Sequence, residues 1–419
     1  MGKKIFKTTL KIFGGIILLL ALLYGLFHLW EYASGGKFVK YLRANSETVG
    51  LEESFSYDVA KGDIENSKLI MVGEAHGFEE PTKFDVHFFK YLNANFNVKN
   101  YFAELDFVQA EYLNRYLLSK DEKLLEQVLK YWVVIQGRNN RDYFDKYVNF
   151  QEYYQEVTEE RKFRFIGIDK IQDWSLTTKY LNELIPPDQN IEPLEFGKEQ
   201  FVERLLNQID ALTSFYSENT DTLLKISHIR KNVEFVRDKV NREEVMFSNF
   251  YSIYQKEGLG NRKVYGYFGL YHIFQYRING AHPLASKIRQ SDLGLENKML
   301  SFNFLMNDAH MVTSSKRLPA FLRDEGAYTR MPVSADNMLV MYIYGIKDYK
   351  RMTAEHHKSL VKMNADKNPY TDSRRLNTMF QLLPVTDLFE LNDIGKPYTQ
   401  YTIFVRNSDW AEPMTELNQ

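Results

Sequence analysis

Hydrophobic residues fall into three patterns along the chain. The first is one uninterrupted run at residues 12–30, IFGGIILLLALLYGLFHLW, without a formally charged side chain. As a helix it is long enough to cross the hydrocarbon layer of a bilayer. The second is a series of short runs rich in β-branched and aromatic residues: 68–73 (KLIMVG), 100–103 (NYFA), 163–168 (FRFIGI), 264–269 (VYGYFG), 300–306 (LSFNFLM) and 338–344 (MLVMYIY). These predict strands. Amphipathic stretches at 81–96, 107–119, 143–157 and 176–184 separate several of them. That alternation predicts an α/β fold, a mostly parallel sheet flanked by helices. The third pattern interrupts it: from about residue 190 to 258, Leu, Ile and Val recur at three-to-four spacing among charges, which predicts a helical insertion. The insertion is either a lid over a site or helices packed on the sheet. TQYTIFVR at 399–406 closes the chain with an added strand.

Lys3, Lys4, Lys7 and Lys11 precede the long apolar run and Glu31 follows it. The lysine bias places the short end in the cytoplasm and the body outside, so 1–35 is expected to be a transmembrane signal anchor and 36–419 an extracytoplasmic domain. A cleaved signal peptide ending at Ala33, Ser34 and Gly35 is the rival reading, but the run exceeds the roughly 7–15 residues of a signal-peptide core. Cys is 0, which removes disulfides, thiolate metal sites and a cysteine nucleophile and fits a bacterial cell envelope. Lys+Arg 53 against Asp+Glu 55 leaves a net charge of -2. No basic field exists to gather phosphates, so nucleic acid is not an expected partner; the membrane is.

In open parallel sheets, sites form beyond the carboxyl ends of the strands. Here those positions are polar. Glu74 and His76 follow the first run, Glu104 and Asp106 the second, Asp169 the third and His272 the fourth. One acidic residue after a strand is commonly a helix N-cap; convergence from four strands points to a site. Two segments share the form Gly-x-x-His, Gly73 to His76 and Gly269 to His272, in which glycine allows a sharp turn and the histidine points back over the sheet edge. With Glu104, the two imidazoles can either hold a divalent metal ion, with His76, Glu104 and His272 as ligands, or position water without one. Glu74 is then the candidate base, and His76 or His272 the proton donor or oxyanion partner. His310, after the 300–306 run, is a secondary candidate; His87, on a helix, is a weaker one. No Gly-x-Ser-x-Gly elbow, GxGxxG, Walker A loop or His-Glu-x-x-His helix occurs, so serine-hydrolase, nucleotide and zincin chemistry lack support.

The stretch MVGEAHGFEEPTKFDVHFFKYLNANFNVKNYFAELDFVQAEYLNRYL resembles the opening of the erythromycin esterase family, on Gly73, Glu74, His76, Gly77, Glu104, Asn114, Arg115 and Tyr116. FRFIGIDKIQDW, ending its strand at Asp169, resembles that family's third strand. The paired Gly-x-x-His motifs are similar to the wider superfamily of Tiki metalloproteases, pheromone-shutdown proteins and ChaN-type haem-binding proteins. The resemblance implies a hydrolase of an ester or related acyl bond, with Glu74, His76, Glu104, Asp169 and His272 at its site and Arg115 as a further candidate. It also implies two alternatives, a Tiki-like metal-dependent protease and a haem or iron binder. The two enzyme readings imply a small-molecule ester or a peptide as substrate. The chain departs from the esterase pattern in two places. Gly269 stands where the first histidine of a later pair is expected, and Phe78, Glu79 and Glu80 stand where an arginine is expected.

Overall fold

The structure, a computed structural model, describes residues 2–50, 55–132, 140–187, 193–197, 200–383, 389–391, 393 and 395–414. Its strands, in chain order, are β1 (Ser46–Thr48), β2 (Leu69–Glu74), β3 (Asn100–Ala103), β4 (Arg164–Gly167), β5 (Val264–Gly269), β6 (Met299–Asn307), β7 (Ala309–Ser314), β8 (Tyr328–Val333), β9 (Asp336–Asn337), β10 (Met341–Ile343), β11 (Lys358–Lys362), β12 (Met379–Phe380) and β13 (Tyr401–Arg406). An eight-stranded sheet has the order β1-β11-β13-β6-β2-β5-β3-β4. From β13 to β4 every pairing is parallel, whereas β11 runs antiparallel to both β13 and β1. The fold is therefore α/β with a mostly parallel sheet, as the alternation predicts.

Every residue of β2 and β5 is buried, which is why their sequences read as continuous apolar runs. Successive side chains still divide between two layers. Ile70 and Val72, Tyr101, and Tyr265 and Tyr267 face one core, with Phe84, Phe88, Phe89 and Phe150 of the helices Glu79–Phe96 and Arg141–Glu156. Leu69 and Met71, Phe102, and Val264 and Phe268 face the other, with Met246, Phe250 and Ile288 of the helices Arg242–Lys256 and Leu284–Gln290. At the free edge, the Asn114 side chain bonds both the N–H and the C=O of Phe165, capping the exposed ladder of β4.

One predicted strand differs from the sequence expectation, and the helical insertion is present. The run at 338–344 contributes only the short β10, in a separate sheet of order β12-β10-β9, because Tyr342 packs away from the main sheet against the N-terminal helix. The region from about 190 to 258 holds the helices Phe201–Phe215, Thr220–Arg237 and Arg242–Lys256; residues 190–192 and 198–199 lie outside the described residues. The first two bury Leu205, Ile209, Ile226 and Val233 with the first core. The third forms part of the layer covering β3 and β5. The helix Gly2–Ser34 contains one segment, Thr8–Ser34, long and apolar enough to span a membrane.

Candidate active site

The chain makes β2, then β3 and β4, and returns to insert β5 between β2 and β3. This order sets the carboxyl ends of β2, β5, β3 and β4 side by side. It brings Glu74, His76, Glu104, Asp169 and His272 into one region. Gly73 is required beneath it, because a Cβ there would lie 2.3 Å from Ile273 Cγ1 in the turn after β5.

At the end of β2, Glu74 is buried and its carboxylate is the hub of a hydrogen-bond set. His76 Nδ1 lies 2.6 Å from Glu74 Oε1. A carboxylate only accepts, so Nδ1 carries the proton and Nε2 is left as the basic nitrogen. Tyr143 OH donates to the same Oε1, and Tyr267 OH donates to Oε2 at 2.7 Å. The His76 side chain is 37% exposed against 2% for Glu74. The imidazole is thus the solvent-reachable member of the pair.

Beneath the two tyrosines lies the buried Lys146. Its Nζ sits 3.9 Å from the Tyr267 ring centroid and 2.6 Å from Asp85 Oδ2. Asp85 also accepts from Tyr101 OH at 2.5 Å and Tyr265 OH at 2.6 Å. A cation on the ring face is held by the aromatic quadrupole and strengthens the phenol as a donor.

At the end of β3, Glu104 accepts the Gly269 N–H on Oε2 at 2.5 Å and Arg242 Nη2 on Oε1 at 2.5 Å. Asp169, after β4, accepts Arg242 Nε at 3.0 Å and a second bond from Arg242 Nη2. His272 Nε2 is 3.7 Å from Glu104 Oε1, and its Nδ1 is 2.7 Å from Glu243 Oε1, a charge contact without hydrogen-bond alignment. Burial alone would depress the imidazole, but the Glu104 charge, followed by Glu243, overrides it and pushes His272 up to about 9. His272 is therefore an imidazolium at neutral pH. Gly269 joins the two halves: a Cβ there would stand 3.0 Å from His76 Nε2 and 3.1 Å from Glu104 Oε2. The bare glycine leaves room for that imidazole.

Asp106 is drawn into local structure. It caps the helix Phe107–Ser119 in a capping box with Gln109 and accepts from the N–H groups of Gln172 and Asp173, while burial pushes it up to about 6. Arg115 stands apart from the cluster, bonded to Glu183 at 2.8 Å and stacked over Tyr112 and Tyr180. His87 is half-buried in the third turn of the helix Glu79–Phe96. His310 lies on the β7–β8 hairpin, its N–H donating to Ser408 O. Arg242, Glu243, Tyr143, Tyr267 and Lys146 carry no local sequence signal for a site. Arg242 and Glu243 read as two charges at a helix start, and the aromatic residues read as core.

A divalent metal does not fit the donor set of His76, Glu104 and His272. Both oxygens of Glu104 are taken by donors, one of them a guanidinium shared with Asp169. Among the described residues no three His, Asp or Glu side chains converge as a metal site.

No family model and no curated protein matches the sequence. Solved structures do. A Bacillus cereus protein superposes with a TM-score of 0.62 at 13% identity, over 91% of this chain and 99% of its own. A succinoglycan biosynthesis protein gives 0.63 at 12%, over 90% and 98%. A histidine-to-asparagine mutant of erythromycin esterase EreC, in its open conformation, gives 0.58 at 14%, over 87% and 98%. The fold resembles that of an erythromycin esterase. At these identities the likeness to EreC is one of fold, spanning nearly the whole of both chains.

Proposed function

We propose that this protein is a membrane-anchored hydrolase that cleaves an ester or related acyl bond with water activated at the Glu74–His76 pair. The observation that carries the reading is the 2.6 Å contact between Glu74 Oε1 and His76 Nδ1, which turns Nε2 toward Gly269. The roles are the reverse of the sequence expectation. Glu74 is buried and accepts from His76 and two tyrosine hydroxyls, so it orients and stabilises the imidazole, and His76 is the base.

In the reaction, His76 Nε2 takes a proton from water as its oxygen bonds to the acyl carbon. The positive groups nearest to hand for the resulting oxyanion are the His272 imidazolium and the Arg242 guanidinium, which lie around Glu104. When the intermediate collapses, the carbon–oxygen bond to the leaving alcohol breaks. The His76 imidazolium returns its proton to that alcohol, and a carboxylic acid remains. Asp169 holds Arg242, and Glu243 holds His272.

Anchoring is supported by the segment Thr8–Ser34, and the lysines before it support an extracytoplasmic body. The full-length chain in detergent should hydrolyse a soluble chromogenic ester. Glu74→Gln and His76→Ala should each lower kcat by about 10²–10⁴-fold with the fold retained by circular dichroism. Wild-type turnover in both variants would move the chemistry elsewhere.

A further inference from the structure

We propose that the substrate of this site is a lipid ester drawn from the bilayer, its acyl chain held in an apolar cavity that runs from the catalytic edge to the subdomain carrying the membrane helix. This rests on the hydrolase reading above and names its substrate class.

The cavity has a volume of about 570 Å³, within the roughly 300–1,000 Å³ of small-molecule sites. At one end its wall is Ala75, between Glu74 and His76, and Leu270, in the turn that carries His272. The remaining wall includes Met306, Met311, Met341, Met363 and Met379, five of the 13 methionines in the chain. Methionine is flexible and polarisable, so such a wall adapts to a mobile hydrocarbon chain rather than to one rigid shape.

The other end is built on the β12-β10-β9 sheet, which acts as a partition. In β10, Met341 and Ile343 line the cavity, and Tyr342 between them points to the opposite face, against Phe27 and His28 of the N-terminal helix. In β12, Met379 lines the cavity and Phe380 meets Phe27. The helix is fixed there. Glu31 is buried, accepting from Gly345 N at 2.8 Å and from Tyr342 OH. Arg375, paired with Asp348, donates to Glu31 O at 2.6 Å and to Ser34 Oγ at 2.7 Å.

The direction of the strand also matters. Tyr344 stacks on Trp30, and Tyr342 lies on Phe27 and His28, so moving back along the chain descends the helix toward its apolar middle. Continuing that way, Leu382 and Leu383 bond to the carbonyls of Met338 and Leu339. Leu339, Leu382 and Leu383 are 54%, 70% and 50% exposed. Exposed leucines beside a membrane-crossing helix fit the bilayer interface. The contacts thus run from the N-terminal helix, through a partition one strand thick, to a cavity whose far wall, at Ala75 and Leu270, adjoins the residues that carry His76 and His272.

The test uses the full-length protein with p-nitrophenyl esters from acetyl to lauroyl in detergent, binding of the fluorescent fatty acid cis-parinaric acid, and a long-chain ester embedded in phosphatidylcholine vesicles. Turnover (kcat/KM) should rise by up to about fourfold per added methylene until the cavity is filled. Ala365→Trp, at a half-buried loop position on the cavity wall, should abolish that chain-length gain and parinaric acid binding while acetyl-ester turnover persists; Met379→Trp is the second variant should the first misfold. The triple variant Leu339→Ser, Leu382→Ser, Leu383→Ser should lose at least tenfold on vesicle-embedded ester alone. Cleavage that is independent of chain length, with no parinaric acid binding, overturns the inference and leaves the hydrolase reading standing. Parinaric acid binding that Ala365→Trp removes, without cleavage of any ester, overturns the hydrolase reading and leaves the cavity assignment standing.

Discussion

Arg242 is the residue that links Glu104 to Asp169, and Arg242→Met tests that link. The substitution keeps an extended apolar side chain and removes a guanidinium that bonds Glu104 and Asp169, whose side chains are 6% and 0% exposed. Stripping one partner from a fully buried ion pair costs about 3–5 kcal/mol. The Arg242 side chain is itself 36% exposed, so water partly screens the loss and the expected cost is about 2–4 kcal/mol. At roughly 2.1 cal/mol/K of unfolding entropy per residue, that is a fall in Tm of about 2–5 °C. The pH dependence has a definite sign. Without Arg242, Asp169 has lost its guanidinium and Glu104 keeps the Gly269 N–H and His272, so burial disfavours their charged forms more than in the wild type. The folded variant then holds protons to higher pH than the folded wild type, and its stability falls relative to wild type as pH rises. The defect should therefore be larger at pH 8 than at pH 5, and Asp169→Asn in the Arg242→Met background should restore about half of it. The assay is thermal unfolding of the full-length chain in detergent across that range. An unchanged Tm at pH 8, or a defect that grows on acidification, would refute the reasoning.

The His272 imidazolium, raised from 6.5 to about 9, contributes stability that is fully present below pH 6.5 and lost as pH rises through 9. The stability difference between wild type and His272→Gln should shrink by about 3 kcal/mol across that window in denaturant titrations, and a pH-independent difference would exclude a charged His272. Gly269 has φ −59°, so Gly269→Ala is unstrained in the backbone, yet its Cβ would crowd His76 Nε2. Turnover should drop about 10–100-fold with Tm nearly unchanged; equal loss of both would mean that the glycine serves folding rather than the imidazole.

The sequence by itself determined the elements and the identity of most groups at the sheet edge. A strand buried on both faces must be a continuous apolar run, so the positions just beyond 68–73, 100–103 and 264–269 could be read directly, and with them Glu74, His76, Glu104 and His272. Local chemistry also marked Asp106, whose acidic side chain before an amphipathic stretch proved to be a helix cap. Strand order is not local, because it depends on how helices of differing length pack across a sheet, and only the tertiary structure decided it. Inserting β5 between β2 and β3 is what sets Gly269 against both His76 and Glu104. The same holds for Arg242, 138 residues from Glu104, and for Tyr267, 193 residues from Glu74. Their residue types are as common in helices and cores as in sites, and they become site residues only through burial beside a carboxylate. The cavity is the extreme case: its wall joins the ends of β2 and β5 to short strands near the C-terminus, and the apolar side chains lining it have no pattern along the chain that separates them from ordinary core.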